Sequence, residues 1–440
     1  GFRTTVIVDP GIKLDPGWSV YDRGLAGRHF LETPGGATYQ GVAWPGPSVF
    51  PDFTRAETRS FWAEQVGALA RRGVAGVWLD VNEPTTFPEG GGGTTVPDEV
   101  LARGDTRPAT MAEVHNIYAN LEAEATFGAL AAAAPERRPF VLSRAGYAGI
   151  QRHAAVWTGD APSNFVTLAN QLPMLLGMGV SGVPFVGSDV GGYSGRASPE
   201  LYARWMGLGA LSPFFRAHVT SGVPGQEPWQ FGPEVEIIAR ELIRLRYRLL
   251  PTLESLFAEA AATGAPPLRP MFWHFPTDAR FANLGDQAML GASLLVAPIV
   301  TPGATSRTIV LPAGRWFEHA SGAAHDGPAI IELEATLATL PILVAAGAVL
   351  ASRPHAAHTD ALADDQLVLE VYPVASGGRA VHELAEVAAD GHLSPRRRRF
   401  TVTHEAGVTR VNVEALGGDY VPPARTLTLR LVRADQAPTS

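Results

Sequence analysis

The stretch GVWLDVNEPTTF, residues 76–87, decides the fold class of this chain. It begins with an apolar run, residues 76–79, and stops abruptly on Asp80, with an amide and a second carboxylate close behind. A buried strand of a parallel sheet consists of such a continuous apolar run. In an α/β barrel the residues at the carboxyl ends of the strands face the active site. We therefore interpret residues 76–80 as a strand that presents Asp80 at its tip. Taken alone, the same residues are equally consistent with a polar turn.

The same layout recurs through the first half of the chain. Predicted strands that end on polar or charged residues alternate with helices: residues 5–8, 76–80, 140–143, 154–157, 183–187 and the strand-like segment 211–215. Such alternation predicts a parallel sheet with helices outside it. A doubly wound sheet would gather its functional residues near one switch point and carry a glycine-rich phosphate turn, which this sequence lacks. The pattern favours an α/β fold of the (β/α)8 TIM-barrel type.

Capping signals predict where the helices begin. Two capping boxes and two N-caps mark these starts: Thr54 with Glu57, Thr110 with Glu113, Ser163, and Ser198 followed by Pro199. Another long helix is predicted over residues 240–262, where leucines at helical spacing form one apolar stripe. We interpret these leucines as core residues.

The pattern changes beyond residue 265. Short β-like runs separated by Gly and Pro indicate antiparallel β-sandwiches. The predicted organisation is a catalytic barrel over residues 1–265, a proximal C-terminal β-sandwich over residues 266–355 and a distal one over residues 366–440. The single basic run, residues 396–399, is interpreted as a solvated loop face and not as a binding patch.

Composition excludes several function classes. The net charge of −8 argues against nucleic acid as a partner, because phosphate binding requires clustered Lys and Arg. Without cysteine the chain has no disulfide and no thiolate metal site. No apolar stretch approaches the roughly 18 residues of a membrane span. Two-His helix motifs and calcium-loop spacings are absent, so we expect no catalytic metal and no cofactor. The compartment stays open, with a cytoplasmic location favoured.

Four motifs follow one another in a fixed order: WLDVNEP at residues 78–84, WTGD at 157–160, GSDVGGY at 187–193 and FFRAH at 214–218. They resemble the signatures of the retaining α-glucosidases of glycoside hydrolase family 31. The resemblance extends from residue 6 to about residue 273, over half the chain.

The resemblance implies a role for each motif residue. It makes Asp80 the nucleophile and Asp160 the general acid/base. It also implies sugar-hydroxyl ligands and pocket-lining residues: Arg144, His218, Trp44, Trp78, Trp157, Asp189, Tyr193 and Asp9. Retaining hydrolysis needs two carboxyl groups about 5–5.5 Å apart, one ionised and one protonated. Arg144 would keep one carboxylate ionised, and flat tryptophan faces would stack on the sugar.

Structural alternatives stay open for four of these residues. Arg144 could pair with a structural carboxylate, and His218 could be a core histidine. Trp78 could fill the barrel interior, and Asp189 could orient other groups without contacting sugar.

The sequence also departs from the family. Full-length relatives carry an N-terminal β-sandwich and two further barrel strands, the second with a sugar-binding aspartate that has no match here. We therefore expect a TIM barrel with only strands 3–8 present, in a fragment that has little or no activity alone.

The expected function is that of an exo-acting α-glucosidase, which hydrolyses terminal α-linked glucose of oligosaccharides by double displacement. The tetrad DVNE at residues 80–83 favours this over the α-xylosidase branch. An α-transglucosylase, an α-xylosidase of the same family and a non-catalytic carbohydrate-binding fragment remain alternatives. The expected partner is an oligosaccharide, without nucleic acid or membrane, and a homo-oligomer stays open.

Overall fold

The computed structural model describes residues 2–87, 93–362, 365–388 and 394–432. The chain divides into two compact units, Gly1–Trp157 and Thr158–Ser440. No helix in the described ranges is both long and apolar enough to cross a membrane. The predicted domain boundaries at residues 265, 355 and 366 remain predictions.

Within its described residues, the first unit contains a parallel sheet and three α-helices. Its strands are β1 Thr5–Val8, β2 Ile12–Lys13, β3 Gly41–Ala43, β4 Gly46–Val49, β5 Gly76–Leu79, β6 Thr85–Thr86, β7 Thr94–Thr95, β8 Leu101–Ala102, β9 Ala109–Thr110, β10 Val141–Ser143 and β11 Ala155–Trp157. Its helices are α1 Ser19–Ala26, α2 Ala56–Arg71 and α3 Met111–Ala133. The parallel strands lie in the order β1–β5–β10–β11. The sequence-predicted strand over residues 5–8 is confirmed, and those over residues 76–80, 140–143 and 154–157 are confirmed to within one residue at each end. The strand predicted over residues 183–187 is shorter, Val186–Gly187.

The core of this unit explains why β5 is a continuous apolar run. Val77 and Leu79 are fully buried. Helices α2 and α3 pack against each other, and Nε1 of Trp62 on α2 donates a hydrogen bond of 2.9 Å to Oγ1 of Thr126 on α3. Strand β5 thus has the buried environment typical of parallel strands, whereas β1 is partly exposed.

The second unit is mostly β-structure after its first helices. Its strands are β12 Val186–Gly187, β13 Asp189–Val190, β14 Arg216–Ala217, β15 Leu268–Pro270, β16 Ala288–Leu290, β17 Leu294–Val296, β18 Ser306–Glu318, β19 Ala324–Glu334, β20 Ile342–Ala345, β21 Val349–Ser352, β22 Gln366–Val371, β23 Arg379–Glu386, β24 Arg396–Glu405, β25 Val408–Gly417 and β26 Thr426–Leu431. Its helices are α4 Phe165–Val180, α5 Pro199–Leu211, α6 Pro233–Thr263 and α7 Met271–His274.

Three larger sheets organise the carboxyl-terminal part of this unit. An antiparallel sheet of six strands has the order β15–β16–β17–β20–β18–β19. Two sheets of three strands have the orders β21–β22–β26 and β23–β24–β25. The long helix α6 supplies Leu242, Leu249 and Leu253 to the core. The predicted leucine stripe is therefore confirmed, within a helix that is longer than predicted.

The capping signals have mixed outcomes. The Thr110–Glu113 capping box is present, and Ser198 accepts a hydrogen bond from the Leu201 N–H as an N-cap. The Thr54–Glu57 box is wrong: α2 begins at Ala56, whose N–H donates to the Asp105 carboxylate at 2.9 Å. The Thr54 hydroxyl instead donates to buried Asp52.

Two further boundaries also differ from prediction. Asn164, and not Ser163, caps α4, because its Oδ1 accepts a hydrogen bond of 2.8 Å from the Thr167 N–H. The segment 211–215 is not a strand, since α5 extends through Leu211 and β14 begins only at Arg216. Its apolar residues follow a buried helix, a case in which an apolar run alone does not distinguish strand from helix.

The basic run at residues 396–399 is not a loop face. It opens strand β24, where alternate side chains point to opposite faces. Arg398 is buried and forms an ion pair with Glu386, which also pairs with Arg425. Arg397 and Arg399 pair with the more exposed Glu383. The interpretation as a uniformly solvated face is therefore wrong for Arg398.

Candidate active site

The register of the parallel sheet brings three predicted site residues to one edge. Leu79, the last residue of β5, pairs with Val8 of β1 on one side and with Ser143 of β10 on the other. The residues that directly follow these three strands are Asp9, Asp80 and Arg144. Because parallel strands end at the same edge of a sheet, the chain leaves all three strands at this edge, where barrel enzymes carry their chemistry.

Asp80 is held by a backbone donor and a cation. Its Oδ1 accepts a hydrogen bond of 2.9 Å from the Val81 N–H and lies 3.3 Å from Nη1 of Arg144. Only 17% of the Asp80 side chain is exposed. A nearby cation and a hydrogen bond to the charged form both favour an ionised carboxylate. Asp80 therefore has the surroundings that an ionised nucleophile requires.

Val81 turns the chain sharply after Asp80. Its φ is +48°, in the left-handed region that a β-branched residue rarely adopts. Such backbone conformations concentrate at functional sites, where surrounding contacts must hold them in place. The position of the Asp80 carboxylate thus depends on what holds the residues that follow it.

Glu83 is the second carboxylate at this edge, and it binds Arg144 in a fork. Nε and Nη2 of Arg144 donate to Oε1 and Oε2 of Glu83 at 2.9 and 3.0 Å, and the Thr85 hydroxyl donates to Oε2 at 2.6 Å. Burial acts to raise the pKa of Glu83, but the hydrogen bonds from Arg144 and Thr85 outweigh it and lower that pKa. Arg144 therefore pairs with Glu83 and also contacts Asp80, and its role as a sugar ligand remains a prediction.

Asp9 has the opposite electrostatic character. Burial, and secondarily the charge of Asp80, raise the pKa of Asp9 to about 6, while Arg144 acts in the other direction. Its Oδ1 is buried without a hydrogen-bond partner among the described residues. Asp9 therefore has a raised pKa, whereas the neighbouring Asp80 carboxylate has a guanidinium nitrogen 3.3 Å away.

The predicted aromatic residues of this unit form two separate pairs. Trp78 and Trp157 make an edge-to-face contact with ring centroids 5.6 Å apart. The ring centroid of Trp44 lies 4.4 Å from that of Phe87, and 67% of Trp44 is exposed. The exposed face of Trp44 is available for stacking, whereas Trp157 is buried. Trp78 is partly buried, between the two interpretations made for it.

Asp160 is exposed on a loop of the second unit that is tied to the Tyr193 loop. The Tyr193 N–H donates to the Ala161 carbonyl at 2.6 Å, and the Ser163 N–H donates to the Ser194 carbonyl at 2.8 Å. Asp160 follows Gly159, whose φ is +76°, a conformation that glycine adopts without strain. The structure therefore places Asp160 and Tyr193 on joined loops, as side chains of one site would be.

His218 lies beside Tyr193. Their rings stack with centroids 5.4 Å apart and planes 30° apart. Nε2 of buried Gln226 donates to the carbonyls of Gly192 and His218 at 2.7 and 3.1 Å, which joins the two segments. Burial, with a smaller contribution from Arg216, lowers the pKa of His218 to about 4. The ring is thus neutral near pH 7 and only partly buried.

Asp189 is fully buried and paired with an arginine. Its Oδ1 and Oδ2 accept hydrogen bonds of 2.6 and 3.3 Å from Nε and Nη2 of Arg216. Of the two interpretations made for Asp189, this geometry favours an orienting role over direct contact with sugar. Arg216, the cation of this ion pair, was not among the sequence-predicted site residues.

Sequence reasoning also missed Glu122. This carboxylic acid lies in the middle of α3 and is completely buried. Tyr118 and Thr126, four residues before and after it, are buried too, so helical periodicity alone places Glu122 on the apolar face. Among the described residues, no group of three or more His, Cys, Asp and Glu side chains is arranged to hold a metal ion.

The fold and this edge define a TIM-barrel domain followed by a C-terminal β domain. Residues 1–256 match the model of the glycosyl hydrolases family 31 TIM-barrel domain, and residues 264–350 match that of the glycosyl hydrolase family 31 C-terminal domain. The chain belongs to glycosyl hydrolase family 31.

Individual relatives agree with this assignment. The chain is 41% identical to alpha-glucosidase 2 of Bacillus thermoamyloliquefaciens over 384 residues, which cover 87% of this chain and 48% of that protein. The crystal structure of a Tris-bound glucosidase II alpha subunit superposes with a TM-score of 0.85 at 30% identity, covering 92% of this chain and 44% of that one. The structure of an alpha-xylosidase from Xanthomonas citri superposes with a TM-score of 0.84 at 26% identity, covering 99% of this chain and 48% of that one. The chain thus spans about half the length of these relatives.

Proposed function

We propose that this chain carries the catalytic groups of a retaining, exo-acting α-glucosidase that removes terminal α-linked glucose from oligosaccharides. Asp80 is the nucleophile and Asp160 the general acid/base in this proposal. The parallel strands are assigned as strands 3–8 of an eight-stranded barrel. This chain spans about half the length of its relatives, so the activity of the whole protein is part of the proposal, and the full-length polypeptide in the tests below means the whole gene product.

The contact of Arg144 with Asp80 carries the proposal. A nucleophilic carboxylate must be ionised when it attacks the anomeric carbon. The guanidinium at 3.3 Å and the Val81 N–H at 2.9 Å stabilise negative charge on the same oxygen, Oδ1. The low exposure of Asp80 strengthens both interactions, because water screens them less. Both contacts are present without substrate and stabilise negative charge on this carboxylate.

The other groups supply the remaining steps. Asp160 is exposed and so accessible to a substrate, to whose leaving oxygen it would give a proton before it takes one from water. Neutral His218 presents ring nitrogens that bind sugar hydroxyls without adding positive charge. Trp44 offers an exposed aromatic face for stacking on the sugar. The roles of Trp78, Trp157 and Tyr193 in lining the pocket are part of the same proposal, and Asp189 is proposed to orient Arg216.

An α-xylosidase is the alternative with a specific observation in its favour, since a neighbour of that name superposes on 99% of the chain. An α-transglucosylase differs only in using a sugar hydroxyl in place of water. Rates on aryl α-glucosides and aryl α-xylosides distinguish an α-glucosidase from an α-xylosidase. Product analysis with an added sugar acceptor distinguishes hydrolysis from transglucosylation.

Azide rescue in the full-length polypeptide tests the assignment of the two carboxylates. Asp80→Ala should abolish turnover of an aryl α-glucoside, and azide should restore it with formation of the inverted β-glucosyl azide. Asp160→Ala should instead give the retained α-glucosyl azide, because azide then attacks the glycosyl-enzyme. Exposed Asp98 provides the matched control, Asp98→Ala. Undiminished turnover by Asp80→Ala would reject the proposal, and an inactive parent protein would favour the non-catalytic alternative.

A further inference from the structure

Asn82 lies between the proposed nucleophile and the carboxylate that holds Arg144. It is completely buried, two residues after Asp80 and one before Glu83. With Val81 in the left-handed conformation, the direction in which the chain leaves Asp80 depends on where Asn82 is anchored. Any displacement of Asn82 would therefore move both Asp80 and Glu83.

The Asn82 amide joins the loop after β5 to the end of β10. Its Oδ1 accepts a hydrogen bond of 3.0 Å from the Ala145 N–H, and its Nδ2 donates to the Ser143 hydroxyl at 2.9 Å. These two residues flank Arg144 on either side. One buried side chain therefore sets the separation between the segment that carries Asp80 and the segment that carries Arg144.

Glu122 supplies the remaining partner of this amide. Its Oε2 accepts a hydrogen bond of 3.0 Å from Nδ2 of Asn82. An asparagine amide can be reversed, exchanging its donor and its acceptor. Here the Ala145 N–H requires an acceptor, which fixes the amide orientation and directs Nδ2 toward Ser143 and Glu122. Glu122 belongs to the 23-residue helix α3, a rigid support.

We propose that Glu122 is a positioning residue of the reaction: through Asn82 it holds the Asp80 and Arg144 segments at the separation that the nucleophile requires. Glu122 itself touches neither substrate nor reacting atoms. This inference rests on the proposed function for its catalytic consequence, but the arrangement of the loops is testable without activity.

The charge state of Glu122 fits this task. Complete burial raises its pKa well above the ordinary value although the hydrogen bond from Asn82 acts to lower it, and the negative charges of Asp9 and Glu83 act in the same direction as burial. A neutral carboxylic acid can accept the Asn82 hydrogen bond without adding charge beside the nucleophile. Glutamine has the same shape and the same neutral acceptor, so Glu122→Gln is a conservative variant, whereas Glu122→Leu removes the acceptor.

The first experiment is steady-state kinetics of the full-length polypeptide on an aryl α-glucoside. Glu122→Leu should lower kcat by about 10- to 100-fold with KM nearly unchanged, because misplacement of the nucleophile affects the chemical step. Glu122→Gln should restore kcat to within about threefold of the parent, since its acceptor remains. Exposed Glu124, on the same helix, provides the matched control, Glu124→Leu. An unchanged kcat in Glu122→Leu, or equal loss in both Glu122 variants, would overturn the inference.

The second experiment uses this chain and needs no activity. Amide hydrogen exchange of Ala145 and of residues 81–86 should accelerate at least about tenfold in Glu122→Leu relative to Glu124→Leu, and Glu122→Gln should reverse the change. Unchanged exchange in these residues would overturn the positioning role. If exchange changes as expected while the full-length parent turns over no α-glycoside, the proposed function fails and the arrangement of the loops stands.

Discussion

Arg144 binds Glu83 through two parallel hydrogen bonds of 2.9 and 3.0 Å while its third guanidinium nitrogen lies 3.3 Å from Oδ1 of Asp80. The planar guanidinium offers its donors in a fixed geometry. Glu83 therefore determines where the remaining nitrogen points, and that nitrogen stabilises charge on the proposed nucleophile. The position of Arg144 relative to the proposed nucleophile thus depends on Glu83.

Arg144→Ala should lower kcat/KM of the full-length polypeptide on an aryl α-glucoside by about 100-fold or more, because a charge-stabilising group is lost. Arg144→Lys should fall between the parent and Arg144→Ala, since lysine keeps the charge but cannot form the fork. Arg137, 60% exposed, provides the control Arg137→Ala. Equal activity of the lysine variant and the parent would contradict a role for the fork.

Asp9 should make the free energy of unfolding fall as pH rises from about 4 to 6. Its pKa is raised from 3.8 to about 6 on folding, so the folded state binds the proton more tightly in this window and loses stability as that proton leaves. Asp9→Asn removes this titration. After allowance for solvent screening, the variant should gain roughly 1 kcal/mol relative to the parent between pH 4 and 7. Urea unfolding at both pH values measures the difference, and a gain toward low pH would contradict it.

His218 should titrate far below an ordinary histidine. Burial and Arg216 lower its pKa from 6.5 to about 4. A base with a lowered pKa destabilises the folded state as pH falls below 6.5, because the unfolded chain takes up the proton first. The NMR titration of the His218 ring should therefore have its midpoint near 4, with His218→Gln used to assign the signal. A midpoint at or above 6.5 would show that the ring is solvated.

Glu386 should contribute more to stability than Glu383 on the same strand. Glu386 is 9% exposed and pairs with Arg398 and Arg425, whereas Glu383 is 37% exposed. Glu386→Ala leaves buried Arg398 without its carboxylate and should cost about 3 kcal/mol. Glu383→Ala, the matched control, should cost less than about 1 kcal/mol. Urea unfolding of this chain measures both, and equal losses would contradict the distinction by burial.

Local patterns predicted the elements whose signals are local. The apolar run before Asp80 and the Thr110–Glu113 capping box each depend on residues a few positions apart, and both are present. The Thr54–Glu57 box failed because the N-terminus of α2 is bound by Asp105, about fifty positions away. The interpretation of residues 396–399 as a solvated loop face failed because strand pairing buries alternate side chains and leaves the others exposed.

The sequence by itself determined which side chains end the parallel strands, since an apolar run that stops on a charge is a property of neighbouring residues. It also determined the family, because several motifs occur in one order. Only the tertiary structure decided the partners: Arg144 with Glu83, Asp189 with Arg216, and Glu122 with Asn82. These pairs join residues 27 to 61 positions apart. Such contacts follow from strand register and helix packing, which no local pattern of residue types encodes.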